Sequence, residues 1–431
     1  MSRARKSIAL LVHNELFLRL MPLTGSTMQT SKTAGNRPHL EIAKDEDATM
    51  KMSTRKVQAK KKSVATTRRR RKGFLAETVE ESQNEENKTA EPIVKPPPKQ
   101  TNIRRSKEPP PHIIGVLDKF INSVTELGVA GIRQMYNSQL APYRAPDSLY
   151  KFTEFEKLEN KDKNRFLDVV CLDHSRVKLT FEVPPCSNYI HASWVRFEKH
   201  DRVFIATQAP LENTTEDFWR MIFQESCSAI INLTNDAEDT DRNVPYFPDK
   251  PGAFANYGRM FVNTKKMDEE TRFTIYTLEV LPDGCSNSQL LKLIKAKSDS
   301  GKSPSTTMIL RMLRIVSTAD RVDGGPVVVH CVSGVGRAGT VILIDVILQR
   351  LFANKLTVDL VEIFQQLRNQ RASCIQREAQ FLFVVASVVD YIGTRYPGRY
   401  REKRDKFKEE YRNSITDRKD SAEGKKVPVA S

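Results

Sequence analysis

The 431-residue sequence has no apolar run that approaches the ~20 residues of a membrane-spanning helix, so we expect no integral membrane segment. The apolar start of the chain (residues 8–12) resembles the core of a signal peptide, but it is broken by His13, Asn14 and Glu15. No small-residue cleavage site follows it. This pattern favours a dispensable leader, with a mitochondrial presequence as the alternative.

Cysteine is scarce and scattered, at positions 171, 186, 227, 285, 331 and 374. The sequence contains no CxxC pair and no cluster of cysteine with histidine. The spacing therefore indicates neither a zinc site nor a disulfide framework, and we expect no metal.

Acidic residues are few in the first 110 positions, which hold 24 Lys/Arg against 12 Asp/Glu and carry +12 of the chain's net +16. A basic nucleic-acid-binding protein would explain this region but not the nearly balanced remainder. Residues 1–112 lack hydrophobic periodicity and contain two proline triplets, which predicts a disordered basic region. Its run Arg68–Lys72 could bind an acidic partner or nuclear import machinery, dock on a protein or membrane, or simply be solvated.

The rest of the pattern predicts one α+β domain over residues 113–399. Apolar residues at helical spacing predict a leading helix over about 114–138. Strand-like runs then come first and helical runs dominate the end, which indicates a twisted, mostly antiparallel sheet flanked by helices. Residues 400–431 are dense in charge of both signs, and we expect a charged tail with a short exposed helix followed by disorder.

The stretch PVVVHCVSGVGRAGT (326–340) combines a strand, a glycine-bearing turn and a helix start. Backbone N–H groups of such a turn converge with the helix N-terminus into a cradle for an anion. Cys331 at the base of this cradle is favoured as a thiolate, and Arg337 offers a planar fork to a phosphate dianion. The pattern predicts in-line attack on phosphorus and a covalent phosphocysteine. An inert core cysteine is the alternative, but it does not account for histidine, glycines and arginine at this spacing.

The same string resembles the His-Cys-x5-Arg signature of protein tyrosine phosphatases, which dual-specificity and lipid phosphatases share in looser form. Further segments are similar to the tyrosine-specific branch and follow its order from about Val116 to Ile392. They are KNRFLD (163–168) with DHSRV (173–177), SNYIHAS (187–193), FIATQAPL (204–211) with DFWRM (217–221), and Gln376 with Gln380 and Phe381. The chain is therefore identified as a divergent member of the classical, tyrosine-specific family. The resemblance implies hydrolysis of phosphotyrosine in proteins, without a cofactor, in a reducing compartment such as the cytoplasm and/or nucleus.

The resemblance also implies roles for individual residues. Phe166 stands where the family has tyrosine and lines a slot too deep for phosphoserine, while Asp168 accepts backbone N–H groups of the peptide. A loop-capping aspartate is the alternative for Asp168, and a surface glutamine is the alternative for Gln376. By the same resemblance, His330 supports the loop, and Glu238 orients Arg337. Gln376, with Gln380 beside it, positions the hydrolytic water. The phosphate is bound by Ser333, Gly334, Val335 and Gly336.

Two positions depart from the family pattern. The family's mobile loop carries Trp-Pro-Asp with the aspartate as general acid, whereas this chain has Lys297-Ser298-Asp299. Asp299 is thus either an acid on a poorly gated loop or a surface aspartate. Ala338 replaces a serine or threonine whose hydroxyl helps the cysteine sulfur leave. We therefore expect a phosphatase of reduced efficiency, with a phosphotyrosine-binding pseudophosphatase that acts as an adaptor or substrate protector as the alternative.

Overall fold

The computed structural model describes residues 108–182, 184–234, 244–297 and 305–423, without the side chains of 318–323 and 416–423. Two of the predicted site residues, Glu238 and Asp299, lie outside the described residues. The predicted basic region is described only from Glu108 onward.

A nine-stranded mixed sheet forms the centre of the described domain, in the order β1-β2-β3-β9-β4-β8-β7-β6-β5. The strands are β1 Arg176–Lys178, β2 Tyr189–Val195, β3 Phe204–Gln208, β4 Ala229–Asn232, β5 Phe254–Tyr257, β6 Met260–Glu269, β7 Phe273–Pro282, β8 Gln289–Ala296 and β9 Val327–Cys331. Strands β3, β9, β4 and β8 pair in parallel, and the other five pairings are antiparallel. The predicted α+β fold is confirmed, and its parallel centre explains why Val327–Val329 is apolar on both faces.

Helices cover both faces of the sheet. They are α1 Pro111–Met135, α2 Thr153–Glu156, α3 Thr215–Gln224, α4 Thr306–Asp323, α5 Gly336–Phe352, α6 Leu360–Gln370, α7 Glu378–Arg395 and α8 Pro397–Glu423. The side chains of successive β9 residues point to opposite faces of the sheet, as in any β-strand. Val327 and Val329 join the larger hydrophobic cluster with α1 and α4–α8, whereas Val328 joins the smaller cluster with α3.

Helix α8 belongs to the domain, so the expected boundary at 399 and the expected exposed helix are wrong. Its residues Tyr400, Phe407, Tyr411 and Ile415 are buried in the larger cluster. Their spacing places them on one face of the helix, although charged residues surround them in the sequence. That apolar stripe packs the helix against the domain.

Helix α1 bends at Gly128, whose φ is +60°. The N–H of Val129, just after the bend, donates to Glu410 Oε2 of α8 at 3.3 Å. A helix start leaves N–H groups without backbone acceptors, and a carboxylate satisfies one of them. Helix α8 thus supports α1 by polar as well as apolar contacts.

Candidate active site

Cys331 is the last residue of β9, and α5 begins at Gly336. Because β3, β9 and β4 are parallel, their carboxyl ends meet at one edge of the sheet, where ligands of such sheets bind. Cys331 is 2% exposed, so its sulfur lies at the base of the site rather than on the surface. Residues 332–336, which connect β9 to the start of α5, form the amide ring.

The carbonyl groups of the amide ring point outward, where neighbouring residues hold them. Four contacts from outside the β9–α5 unit are Ala209 N to Val332 O (3.1 Å), Arg371 Nη2 to Ser333 O (3.2 Å), Arg371 Nε to Gly334 O (3.3 Å) and Ile375 N to Val335 O (3.1 Å). In a planar trans peptide the following N–H points opposite to the carbonyl. The N–H groups of Ser333, Gly334, Val335 and Gly336 therefore face the inside of the ring, as an anion cradle requires.

The contact between Gly334 and Cys331 shows this orientation directly. The Gly334 N–H donates to Cys331 Sγ at 3.3 Å. Gly334 has φ +70°, and a Cβ at this position would lie 2.1 Å from the carbonyl oxygen of Thr207 in β3. Both the left-handed backbone and the close approach of β3 therefore require glycine here.

Arg337 lies in the first turn of α5, half-buried, and its Nη1 donates to Leu233 O at 2.7 Å. Leu233 directly follows β4, so this contact fixes the guanidinium beside the strand ends that surround Cys331. A planar guanidinium fixed beside these strand ends suits two oxygens of a phosphate.

His330 is fully buried beneath the ring and contacts a residue that sequence reasoning missed. The Tyr246 hydroxyl lies 2.7 Å from His330 Nε2 and accepts a hydrogen bond from Asn232 Nδ2 at 3.1 Å. Burial, together with the nearby cations Arg165 and Arg337, lowers the pKa of His330 to about 3. His330 is therefore neutral at physiological pH. Tyr246 lies 84 positions away, so no local pattern could have identified it.

Arg371, which sequence reasoning also missed, is fully buried and contacts two carbonyl groups of the amide ring. It directly follows α6, five residues before Gln376 in the sequence stretch RASCIQ (371–376). A buried arginine is uncommon unless its donors are all used. The arginine stood beside a predicted site residue, but only the fold reveals its contacts.

The predicted substrate loop is fixed to the strand residue that pairs with Cys331. Gln208 of β3 aligns with Cys331 of β9, and its side-chain amide accepts from Arg165 N (3.0 Å) and donates to Lys163 O (2.8 Å). Phe166 directly follows Arg165, whose N–H is bound by Gln208, so the loop holds Phe166 close to Cys331. Phe166 is half-buried against the larger cluster, and Asp168 is exposed.

The two predicted glutamines differ in environment. Gln380 is buried, accepts a hydrogen bond from Arg377 N at 3.2 Å, and packs so closely on Gly336 that a Cβ there would lie 2.5 Å from its Nε2. Gln376 is exposed and follows Ile375, whose N–H holds the ring at Val335. Gln380 thus packs on the ring, and Gln376 follows the residue whose backbone contacts it.

Ala338 is fully buried in α5, immediately after Arg337. Its methyl group belongs to the larger hydrophobic cluster together with Val335 and Val341. Ala338, which stands where the family has serine or threonine, therefore lies in the packed first turn of α5 and supplies no hydroxyl there.

Comparison with known families decides the assignment. The protein-tyrosine phosphatase family matches residues 160–390, which is more than half of the chain. The chain belongs to the protein-tyrosine phosphatase family. Over 246 residues it is 36% identical to the human (Homo sapiens) receptor-type tyrosine-protein phosphatase epsilon, covering 54% of this chain and 35% of that protein. Over 253 residues it is 34% identical to the bovine (Bos taurus) receptor-type tyrosine-protein phosphatase F, covering 58% of this chain and 13% of that protein. This phosphatase-family chain thus spans about a third or less of the length of these relatives.

Two further findings hold for the residues that the structure describes. None of the helices there is long and apolar enough to span a bilayer. Among the same residues, no group of three or more His, Cys, Asp or Glu side chains is arranged to hold a metal ion.

Proposed function

We propose that the chain hydrolyses phosphotyrosine in proteins through a phosphocysteine on Cys331. The observation that carries the proposal is the contact of the inward-facing Gly334 N–H with Cys331 Sγ at 3.3 Å, inside a ring of further inward-facing amides. Such donors stabilise a thiolate and, later, the oxygens of a phosphoryl group. The fixed guanidinium of Arg337 supplies the charge that a dianion needs.

The proposed reaction has two steps. The Cys331 thiolate attacks phosphorus and the bond to the tyrosine oxygen breaks, with Asp299 giving its proton to the leaving phenolate. Water positioned by Gln376 then attacks phosphorus and gives a proton to the Asp299 carboxylate, the P–S bond breaks, and Cys331 returns as a thiolate while phosphate leaves. Phe166 stacks on the substrate ring, Asp168 holds the peptide backbone, and Glu238 orients Arg337.

We further propose that turnover is inefficient. Lys297 and Ser298 replace the tryptophan and proline that stiffen the acid loop in the family, and Ala338 offers no hydroxyl to the departing sulfur. The same two departures favour a rival function, a phosphotyrosine-binding pseudophosphatase that acts as an adaptor or substrate protector. The two functions differ in whether phosphocysteine forms and whether it is hydrolysed.

The test compares single-turnover and steady-state kinetics on a phosphotyrosine peptide, with acid quenching and mass spectrometry of the peptide that contains Cys331. A phosphatase gives a phosphorylated Cys331 and continued phosphate release, and Cys331→Ser abolishes both. Cys285→Ser is the matched control, because Cys285 is a half-buried cysteine in the turn after β7. We expect this variant to leave both signals unchanged. Peptide binding without phosphocysteine, or a phosphocysteine that forms and is never hydrolysed, would contradict the proposal and establish the rival.

We propose that the protein acts in the cytoplasm and/or nucleus and that its basic region binds nuclear import machinery or another acidic partner. A nucleophilic thiolate needs a reducing compartment, and the Arg68–Lys72 run suits an acidic surface. Replacing this run by alanines in a fluorescent fusion changes its distribution if the proposal is right. Hydrolysis of a small aryl phosphate stays unchanged, because the run contains no residue of the phosphatase signature. An unchanged distribution would argue against a role in targeting.

A further inference from the structure

Arg371 is a fully buried cation whose contacts all lie under the amide ring. Its Nε donates to Gly334 O (3.3 Å) and its Nη2 to Ser333 O (3.2 Å). On the far side, Nη1 donates to Ser193 Oγ (3.2 Å) and Nη2 lies 3.1 Å from His191 Nδ1. All three nitrogens of the guanidinium therefore have partners, and the partners belong to the ring and to β2.

The partners of Arg371 among the described residues are all neutral. His191 Nε2 lies 2.7 Å from Val169 O and must donate to it, so Nδ1 is left as an acceptor for Arg371. Burial, and secondarily the charge of Arg371, lowers the pKa of His191 to about 3, which keeps the ring neutral at physiological pH. The positive charge of Arg371 is thus balanced by dipoles rather than by a carboxylate.

The two ring carbonyls that Arg371 holds control two of the inward-facing amides. The Ser333 carbonyl shares its peptide plane with the Gly334 N–H, and the Gly334 carbonyl shares its plane with the Val335 N–H. A cation that binds the carbonyl of a peptide polarises the group and strengthens its N–H as a donor. The Gly334 N–H is the one that reaches Cys331 Sγ, so the effect is transmitted to the sulfur.

We propose that Arg371 is a positioning residue for the phosphatase reaction. Its guanidinium turns two ring amides toward the phosphate. Its buried positive charge favours the Cys331 thiolate and a bound oxyanion. It acts through the ring and not by contact with the substrate. The inference rests on the proposed function only in taking the ring as the oxyanion site. Its main readout, alkylation of Cys331, needs no turnover, so failure of the proposed function would not obscure it.

The test measures the rate at which iodoacetamide alkylates Cys331 as a function of pH, by mass spectrometry of the Cys331 peptide. Removal of the charge in Arg371→Met shifts the midpoint of this curve upward by about one pH unit, equivalent to ~1.4 kcal/mol. Tungstate, an inorganic oxyanion used as the probe, protects Cys331 about tenfold less well in this variant. Arg371→Lys keeps the charge but cannot hold both carbonyls, so its midpoint shifts less, while tungstate protection is still weakened.

Arg368→Lys is the matched control. Arg368 is also a buried arginine and lies in α6, three residues before Arg371, but its guanidinium binds the carbonyls of residues 140, 141, 143, 374 and 375 instead of the ring. This variant lowers thermal stability without moving the alkylation midpoint. If Arg371→Met does not fold, Arg371→Lys decides. A folded Arg371 variant with wild-type midpoint and tungstate protection overturns the proposal, as does an equal midpoint shift in Arg368→Lys.

Discussion

The hydroxyl of Tyr246 lies 2.7 Å from Nε2 of His330, the residue before the candidate nucleophile. Burial raises the pKa of Tyr246 well above its ordinary value, so the hydroxyl keeps its proton. The hydroxyl oxygen also accepts a hydrogen bond from Asn232 Nδ2, so the tyrosine is held between Asn232 and neutral His330. The side chains of Asn232, Tyr246 and His330 thus support the cradle without net charge, in contrast to the buried cation Arg371.

The two buried histidines predict that the domain loses stability in mild acid. Burial lowers the pKa of both His330 and His191 to about 3, from 6.5 in the unfolded chain. The unfolded chain therefore binds more protons below pH 6.5, and the free energy of unfolding falls as pH decreases from about 6.5 toward 3. At pH 5.5 each histidine contributes a loss of ~1.4 kcal/mol relative to pH 7.5.

Urea unfolding at these two pH values measures the effect, which we expect to total roughly 3 kcal/mol for the pair. His330→Gln removes one titrating group and halves the difference between the two pH values, whatever its effect on absolute stability. Carboxylates titrate too low to contribute in this window. Equal stability at pH 7.5 and pH 5.5 would show that these histidines are not held neutral.

Gly334→Ala is expected to abolish oxyanion binding while leaving most of the domain folded. The new methyl would lie 2.1 Å from the Thr207 carbonyl, a backbone atom that cannot move aside cheaply, and φ +70° is itself unfavourable for alanine. The ring must therefore shift. We expect at least a hundredfold loss in kcat/KM, as for removal of an oxyanion donor. Gly252→Ala is the control, since Gly252 has φ +80° with open space around it. Equal activity in the two variants would contradict the argument.

Phe407→Ala tests whether α8 is part of the fold. Phe407 is 2% exposed in the larger cluster, and deletion of a buried phenyl ring costs ~3–5 kcal/mol. We expect that drop in the free energy of unfolding, with turnover per folded molecule unchanged because α8 supplies no site residue. Lys406→Ala, on the exposed side of the same turn, should change stability by less than ~0.5 kcal/mol. A small effect of Phe407→Ala would restore the sequence-based prediction of a charged tail with an exposed helix.

The success of sequence reasoning here depended on whether the signal was local. Cys331 and Arg337 lie in one strand–turn–helix unit, and the helical spacing of Thr215–Gln224 predicts what the structure has as α3. Arg371 and Tyr246 meet the ring only through the fold, so their roles could not be read from their neighbours in sequence. The apolar stripe of α8 was present in the sequence, but the surrounding charge dominated its composition.

Ala338→Ser is expected to accelerate the second half of the cycle. When water attacks the phosphocysteine, Cys331 departs as a thiolate, and a hydroxyl just after Arg337 can donate to the sulfur as charge returns to it. A bond to a charged group is worth ~1.5–3 kcal/mol, and each ~1.4 kcal/mol is tenfold in rate. Ala338 is fully buried, so the substituted side chain must be small. Serine is larger than alanine by one oxygen atom only. We expect about a tenfold rise in steady-state turnover and a smaller burst, measured by rapid quench, whereas Ala338→Gly, which lacks the hydroxyl, gives no gain. If the wild type shows no burst and Ala338→Ser changes nothing, phosphocysteine formation limits the reaction, and replacement of Lys297 and Ser298 by tryptophan and proline raises turnover instead.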